Sequence, residues 1–207
     1  MDTCLFFVEF HNYYRQIQTL YLVEFHDIDK ISWLLYNTSV NNHGIPRNKE
    51  VCKMILAFVG HSLIPSKEKL KGIVCEQIRC HIANKQTVIC YVGGYGDFDA
   101  ICAEACKELK KEYPEMQIIY VTPYLTLAEQ NKIKIMQSCH LCDASIYPPI
   151  ENAPPKFAIT KRNEWMMTNA DLIIAYVKRN FGGAYQSLQI AKRRKKEIIN
   201  ICDFFNF

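Results

Sequence analysis

Residues 87–99 read Thr-Val-Ile-Cys-Tyr-Val-Gly-Gly-Tyr-Gly-Asp-Phe-Asp, and this stretch determines which fold the chain can adopt. Thr87–Val92 is a run of β-branched and aromatic residues that predicts a buried strand, and a helical pattern begins directly after the glycines. Gly93, Gly94 and Gly96 can take positive φ and let a ligand approach the backbone, while the first N–H groups of the next helix lack partners. The stretch therefore predicts either a strand–turn–helix phosphate cradle or a purely structural turn.

The same alternation of strand and helix continues on both sides of this stretch. The apolar runs predict strands at Ile55–Val59, Thr87–Val92, Gln117–Thr122, Ala144–Tyr147, Leu172–Val177 and Ile198–Cys202. The amphipathic segments predict helices at Ser66–Asn84, Asp97–Glu112, Thr126–Gln137, Thr160–Thr168 and Ala184–Arg194, with Asp97 and Thr160 as N-caps. Such alternation predicts a Rossmann-like, doubly wound α/β domain over residues 54–207, with a mainly parallel sheet and helices on both faces.

Ligands of doubly wound sheets lie outside the carboxyl ends of the strands, so the residues that follow the strands are the candidate site. Candidate ligand-binding residues on these segments are Gly60, His61, Gly93, Gly94, Tyr95, Gly96, Arg162, Asn163, Gly182, Gly183 and Ser187. The guanidinium of Arg162 can hold a phosphate or carboxylate with two hydrogen bonds, or it can form a structural ion pair. Trp165 can stack on a base or fill the core. Asp97 and Asp99 can supply carboxylates for catalysis or complement the helix dipole.

Composition limits the classes of protein that fit. The chain has 207 residues, of which 49% are hydrophobic and 22% charged, as is usual for a globular protein. Much of the net charge of +4 comes from Lys192–Lys196, near a helix end, so we expect a solvated helix end and no nucleic-acid partner. Cys4–Val8 is the longest apolar run near the N-terminus and is too short for a membrane span, which predicts a cytoplasmic protein without a membrane partner.

The ten cysteines lie mostly inside the helix and strand patterns, which predicts reduced, buried thiols. Cys139 and Cys142 have zinc-like spacing, but no comparable second pair accompanies them. We therefore predict neither a metal nor a cofactor.

Residues 1–53 do not follow the strand–helix alternation and are rich in aromatic side chains. This aromatic content predicts a helical or hairpin extension that packs on the domain or on a second subunit. A homodimer is therefore one expected arrangement. Alternatively, the natural product starts at Met54, directly before the first strand.

Several spaced motifs, in order over about residues 54–202, resemble those of the SLOG superfamily of Rossmann-like domains. They include Ala57–His61, Tyr91–Asp99, Leu109–Pro114, Ile146–Pro148, Arg162–Met166, Asp171–Val177, Gly182–Ala184 and Ile198–Asn200. The superfamily contains the DNA-processing protein of natural transformation and the LOG phosphoribohydrolases. The resemblance implies a nucleotide or a nucleotide-derived small molecule as ligand.

The LOG branch hydrolyses the N-glycosidic bond of nucleoside 5′-monophosphates with an arginine and a glutamate. Arg162 with Met166 matches the arginine motif, but Gln189 occupies the position that corresponds to the catalytic glutamate. An amide cannot replace a carboxylate in this reaction. We therefore expect a binding or sensing module for a nucleotide-derived ligand. The alternatives are a LOG-like hydrolase or transferase that uses Asp97 or Asp99, and a DNA contact through residues 192–196.

Overall fold

The computed structural model describes residues 53–82 and 87–203, and the statements that follow concern those residues. The strands are β1 (Lys53–Gly60), β2 (Thr87–Val92), β3 (Gln117–Val121), β4 (Ala144–Ile146), β5 (Leu172–Tyr176) and β6 (Glu197–Asn200). The helices are α1 (Lys67–Ile82), α2 (Asp97–Leu109), α3 (Leu127–Ser138), α4 (Ala158–Asn169) and α5 (Gly183–Arg193). Short 3₁₀ turns span Pro155–Phe157 and Ile201–Asp203.

The six strands form one parallel sheet in the order β4-β3-β2-β1-β5-β6. From β1 the chain winds outward to β4, then returns to the other side of β1 to form β5 and β6. The strand order therefore reverses between β1 and β5, where loops leave in opposite directions and open a crevice. The predicted Rossmann-like α/β fold is confirmed.

Each face of the sheet carries its own hydrophobic core because side chains alternate along a strand. On β1, Leu56 and Phe58 pack with the core under α1 and α2, while Ala57 and Val59 pack with the core under α4 and α5. All five residues of β5 are buried, as expected for a central strand covered on both faces. Helices on both faces are thus a consequence of continuous apolar strands.

Many predicted element ends differ from the structure by one to three residues, and two of the differences have a visible cause. Thr160 is not an N-cap, because the 3₁₀ turn before α4 brings the chain into helical geometry two residues earlier, at Ala158. The last strand ends at Asn200, not at Cys202. The Asn200 side chain accepts a hydrogen bond from Val177 N–H at 3.0 Å and donates one to Val177 O at 3.1 Å, and the chain then enters the 3₁₀ turn.

All eight cysteines among the described residues are free thiols, and Cys75, Cys90, Cys102, Cys106 and Cys142 are buried. In the described part of the chain, the helices are too short or too polar to span a bilayer. Residues 1–52 lie outside the described residues, so the N-terminal extension, the alternative start at Met54 and the homodimer stay predictions.

Candidate functional site

A cavity of about 320 Å³ opens at the carboxyl ends of β1 and β5, where the strand order reverses. The ends of these strands, the turn before α2, helix α4 and the start of α5 form its wall. Eight residues singled out from the sequence line it: Gly60, His61, Tyr95, Asp99, Arg162, Asn163, Gly182 and Gly183. Ser62, Ile159, Arg179 and Phe181 also line it.

Arg162 is a buried cation in the wall of this cavity. Its side chain is 1% exposed, and its Nη1 lies 3.5 Å from the Met166 sulfur. Its Nε has no hydrogen-bond partner among the described residues. The guanidinium also forms no ion pair with a described carboxylate. Burial lowers the pKa of Arg162, and an unsatisfied buried donor costs about 1–3 kcal/mol. Arg162 is therefore a buried cation in the cavity wall with an unsatisfied donor.

Asp99 supplies the only carboxylate among the described residues that line this cavity. Its Oδ2 accepts a hydrogen bond from Tyr95 N–H at 2.8 Å. Burial raises the pKa of Asp99, and the positive charge of Arg162 opposes that rise. A Cβ atom at Gly93 would lie 2.3 Å from Arg162 Nη1 and 2.6 Å from Asp99 Oδ2. Gly93 is therefore required for the close approach of both charged groups to the backbone.

Two N–H groups of the turn before α2 donate hydrogen bonds to other atoms of the protein. Tyr95 N–H donates to Asp99, and Asp97 N–H donates to Ser62 O at 3.0 Å. Gly94 and Gly96 adopt φ of 69° and 120°, so they serve the bend itself. The three glycines of this turn do not line the cavity. The geometry favours the structural-turn alternative over the phosphate cradle.

Asp97 lies apart from the cavity wall. Its carboxylate accepts from Ile64 N–H at 2.9 Å and pairs with Lys67 Nζ at 2.6 Å. The Lys67 hydrogen bond lowers the pKa of Asp97, followed by the Ile64 bond. The predicted N-cap role is wrong, because Gly96 is the N-cap and no side chain caps the helix. Asp97 instead ties the loop after β1 to α2.

The Tyr95 ring is held in place by a buried polar network. Its hydroxyl donates to Glu129 at 2.9 Å, and Tyr120 donates to the other oxygen of the same carboxylate. Lys132 donates to the Tyr120 hydroxyl at 2.9 Å and lies 3.9 Å from the Tyr95 ring centroid. Arg162 Cζ lies 5.3 Å from that centroid. Burial, followed by the Glu129 contact, raises the pKa of Tyr95, so the phenol stays protonated. The network fixes one wall of the cavity.

His61 joins the loops that follow β1 and β5. Its Nε2 accepts hydrogen bonds from the N–H groups of Lys178 and Arg179, at 2.9 and 3.2 Å. An imidazole nitrogen accepts only when it carries no proton. Burial lowers the pKa of His61, and the charge of Arg179 lowers it further. Neutral His61 therefore positions the loop that carries Arg179 and Phe181.

The start of α5 presents backbone donors to the cavity. Gly182 is the N-cap with φ of 88°, and no side chain caps the helix. A Cβ atom at Gly182 or Gly183 would meet nothing within 4 Å, so the approach to this helix end is open. Ser187 is buried and donates to Gly183 O at 2.9 Å, so its hydroxyl is used inside the helix and does not line the cavity.

Two further residues that the sequence pointed to lie outside the cavity wall. Gln189, at the position expected for a glutamate, does not line it. Trp165 packs against Tyr91 in the core, with ring centroids 5.3 Å apart.

Sequence reasoning missed Arg179, Glu129 and Lys132. Arg179 follows β5 by three residues, and its position after a strand was the available signal. Glu129 and Lys132 lie on α3, where their charges suggest an exposed face, yet Glu129 is buried by its contacts with two tyrosines. No local pattern indicates such a long-range contact.

The model of the family described as YpsA, the YspA SLOG family, matches residues 64–204 of this chain. Among solved structures, DNA processing protein A from Helicobacter pylori is 20% identical, with a TM-score of 0.49. That match covers 70% of this chain and 63% of the other. DNA processing protein A from Streptococcus pneumoniae is 16% identical, with a TM-score of 0.48, over 70% of this chain and 49% of the other. The chain thus spans less than two thirds of either protein. No curated protein matches.

The sequence-based expectation that nucleic acid is not a partner is wrong. Both solved structures are of DNA-processing proteins, and the one from Helicobacter pylori is described by the mode in which it binds single-stranded DNA. The expectation rested on a net charge of +4. Net charge is a sum over the whole surface, so a small net charge does not exclude a local cluster of cations that contacts phosphates.

Proposed function

Because the chain belongs to the YspA SLOG family, we propose that its strand-end cavity binds a nucleotide-derived small molecule through an anionic group that pairs with Arg162. The observation that carries the proposal is the buried guanidinium, whose Nε has no described partner. A phosphate or carboxylate can accept hydrogen bonds from Nε and an Nη atom at once. Such an anion would satisfy the orphan donor and neutralise the buried charge.

The other lining groups suit the remaining parts of a nucleotide. The uncapped N-terminus of α5 favours a second phosphate oxygen. Asp99 has a carboxylate oxygen without a described partner that can accept a hydrogen bond from a ribose hydroxyl. Phe181 is 64% exposed at the rim and offers a face for a nucleobase. The cavity volume of about 320 Å³ lies at the lower end of the range for small-molecule sites.

Thermal unfolding tests this proposal with a panel of nucleoside monophosphates, cyclic nucleotides and dinucleotides. A compound present at a hundred times its Kd stabilises a protein by about 2.7 kcal/mol, which raises the Tm of a domain this size by roughly 5–11 °C. We expect this shift in the parent protein and its loss in Arg162→Met. Arg193→Met is the matched control, because Arg193 is exposed on α5 and does not line the cavity. The proposal fails if no panel member raises the Tm at millimolar concentration.

A second candidate is hydrolysis of an N-glycosidic bond, and the position and pKa of Asp99 favour it. Burial raises the pKa of Asp99, which suits a carboxyl group that gives its proton to a departing base. Water adds at the anomeric carbon as the glycosidic bond breaks, and the proton that the water loses restores the Asp99 carboxyl group. Release of free base from a nucleoside monophosphate would be its signature.

The pair Asp99→Asn and Asp97→Asn separates binding from catalysis. Asn at position 99 can still accept from Tyr95 N–H, so the turn keeps its hydrogen bond. We expect Asp99→Asn to abolish base release, while Asp97→Asn keeps it because Asp97 lies outside the cavity wall. A parent protein that binds nucleotide but releases no base would rule out the hydrolase.

A further inference from the structure

A second cavity, of about 290 Å³, lies at the carboxyl ends of β5 and β6. Its lining combines cations with apolar and aromatic surface, and includes Arg179, Tyr185, Leu188, Lys192, Ile198 and Asn200. Lys178 and the carboxylate of Asp203 also line it, so three cations face one anion. An apolar floor with one aromatic ring and a cationic rim suits a second nucleobase with its phosphate.

Arg179 lines both cavities, so the two cavities lie next to each other and share this side chain. Helix α5 contributes residues to both cavities. Gly183 at its start lines the first cavity, whereas Tyr185, Leu188 and Lys192, spaced as one helical face, line the second. Arg179 and Lys192 form no ion pair with a carboxylate in the part of the chain that the structure describes.

We infer that the two cavities together bind a linear dinucleotide, with one nucleotide in each cavity and the linking phosphate at Arg179. This inference rests on the proposed function, because the first nucleotide occupies the Arg162 cavity. Each cavity alone is close to the smallest size seen for small-molecule sites, whereas together they match a ligand of about twice that size. Arg179 lies where the two halves of such a ligand meet, and its planar guanidinium is suited to a phosphodiester.

The test compares the affinities of AMP and of the 5′-phosphorylated dinucleotide pApA by calorimetry. We expect pApA to bind at least tenfold more tightly than AMP, because a second set of charge-assisted contacts forms. Lys192→Glu should reduce the affinity for pApA about tenfold or more and leave that for AMP unchanged. Arg193→Glu is the matched control: it makes the same charge change on the neighbouring exposed residue, which does not line the second cavity. Tyr185→Ala gives a second, uncharged perturbation of the same cavity.

Each remaining outcome decides against the inference. Equal affinities for AMP and pApA would exclude a contribution of the second cavity to binding. Equal losses of pApA affinity in Lys192→Glu and Arg193→Glu would exclude it as well. Either result leaves the proposed function of the first cavity standing. If the affinity for the hexanucleotide pA6 is higher than that for pApA, the ligand is a single strand of nucleic acid and the dinucleotide inference is wrong. Failure of both AMP and pApA to bind would overturn the inference together with nucleotide binding by the first cavity.

Discussion

Replacing Gly93 by alanine is the sharpest test of how the Arg162 cavity is built. The added Cβ would lie 2.3 Å from Arg162 Nη1 and 2.6 Å from Asp99 Oδ2, whereas ordinary contacts begin at 3.4 Å. The guanidinium must therefore retreat by about 1 Å, and the carboxylate by slightly less. Both groups are tied to their surroundings, Arg162 by burial and Asp99 by the Tyr95 N–H bond, so neither can move freely.

The expected cost follows from the packing. Insertion of a methyl group into a tightly packed site destabilises a protein by about 1–3 kcal/mol, of which the reduced freedom of the unfolded chain offsets about 0.4–1. The free energy of unfolding therefore falls by roughly 0–2.6 kcal/mol, which lowers the Tm by up to about 10 °C. Displacing Arg162 also removes at least one hydrogen bond to a charged ligand, worth about 1.5–3 kcal/mol, so AMP should bind roughly 10- to 100-fold more weakly.

Urea unfolding and calorimetry with AMP measure both effects in Gly93→Ala. Gly72→Ala is the control, since a Cβ there meets nothing within 4 Å and Gly72 does not line the cavity. It should be at least as stable as the parent protein, and it should bind AMP as tightly as the parent does. If Gly93→Ala binds AMP as well as Gly72→Ala does, Arg162 does not contact the anion.

Three other outcomes are expected. Gly60→Ala should lower the free energy of unfolding by about 1–3 kcal/mol in urea, because its Cβ would lie 2.4 Å from the Phe98 ring; an unchanged midpoint would contradict this. Gly72 lies inside α1 with open space around it, so Gly72→Ala should raise the free energy of unfolding by about 0.5–1 kcal/mol. A lower free energy of unfolding would contradict the open space at this position. The pKa of His61 is lower in the folded protein than in the unfolded chain, where it is about 6.5. Neutral His61 therefore stabilises the folded state fully above about pH 6.5, and this stabilisation is lost as the pH falls through the folded-state pKa. Thermal unfolding between pH 7.5 and 5 should therefore show a loss of stability that His61→Gln lessens, and equal pH profiles would exclude His61 as its source.

The order of strands and helices was predictable because their patterns are local. Continuous apolar runs such as Leu172–Tyr176 are typical of central strands covered on both faces, and the helices between them then require a parallel sheet. The site at the strand ends followed from that topology. SLOG membership, expected from spaced motifs, is confirmed by the family match over residues 64–204.

The use of individual residues was not predictable, because it depends on contacts between distant parts of the chain. Glycines that cradle a phosphate and glycines that let side chains pack closely look alike in a sequence. Only the fold shows that Tyr95 N–H and Asp97 N–H are already bonded, and that the open helix start is at Gly182. Asp97 and Asp99 likewise look equivalent, yet only Asp99 lines the cavity. The cytoplasmic location and the ligand roles of single residues stay predictions.

The buried guanidinium of Arg162 also bears on how long the protein survives in a cell. An unsatisfied donor in the interior lowers the free energy needed to open the chain locally near α4, because opening lets water hydrate the guanidinium. Proteases cut opened forms, so their rate of attack follows the population of such forms. If an anion fills the cavity as proposed, its concentration would control the degradation rate as well as the occupancy of the site. Abundance of the protein would then rise and fall with supply of the ligand.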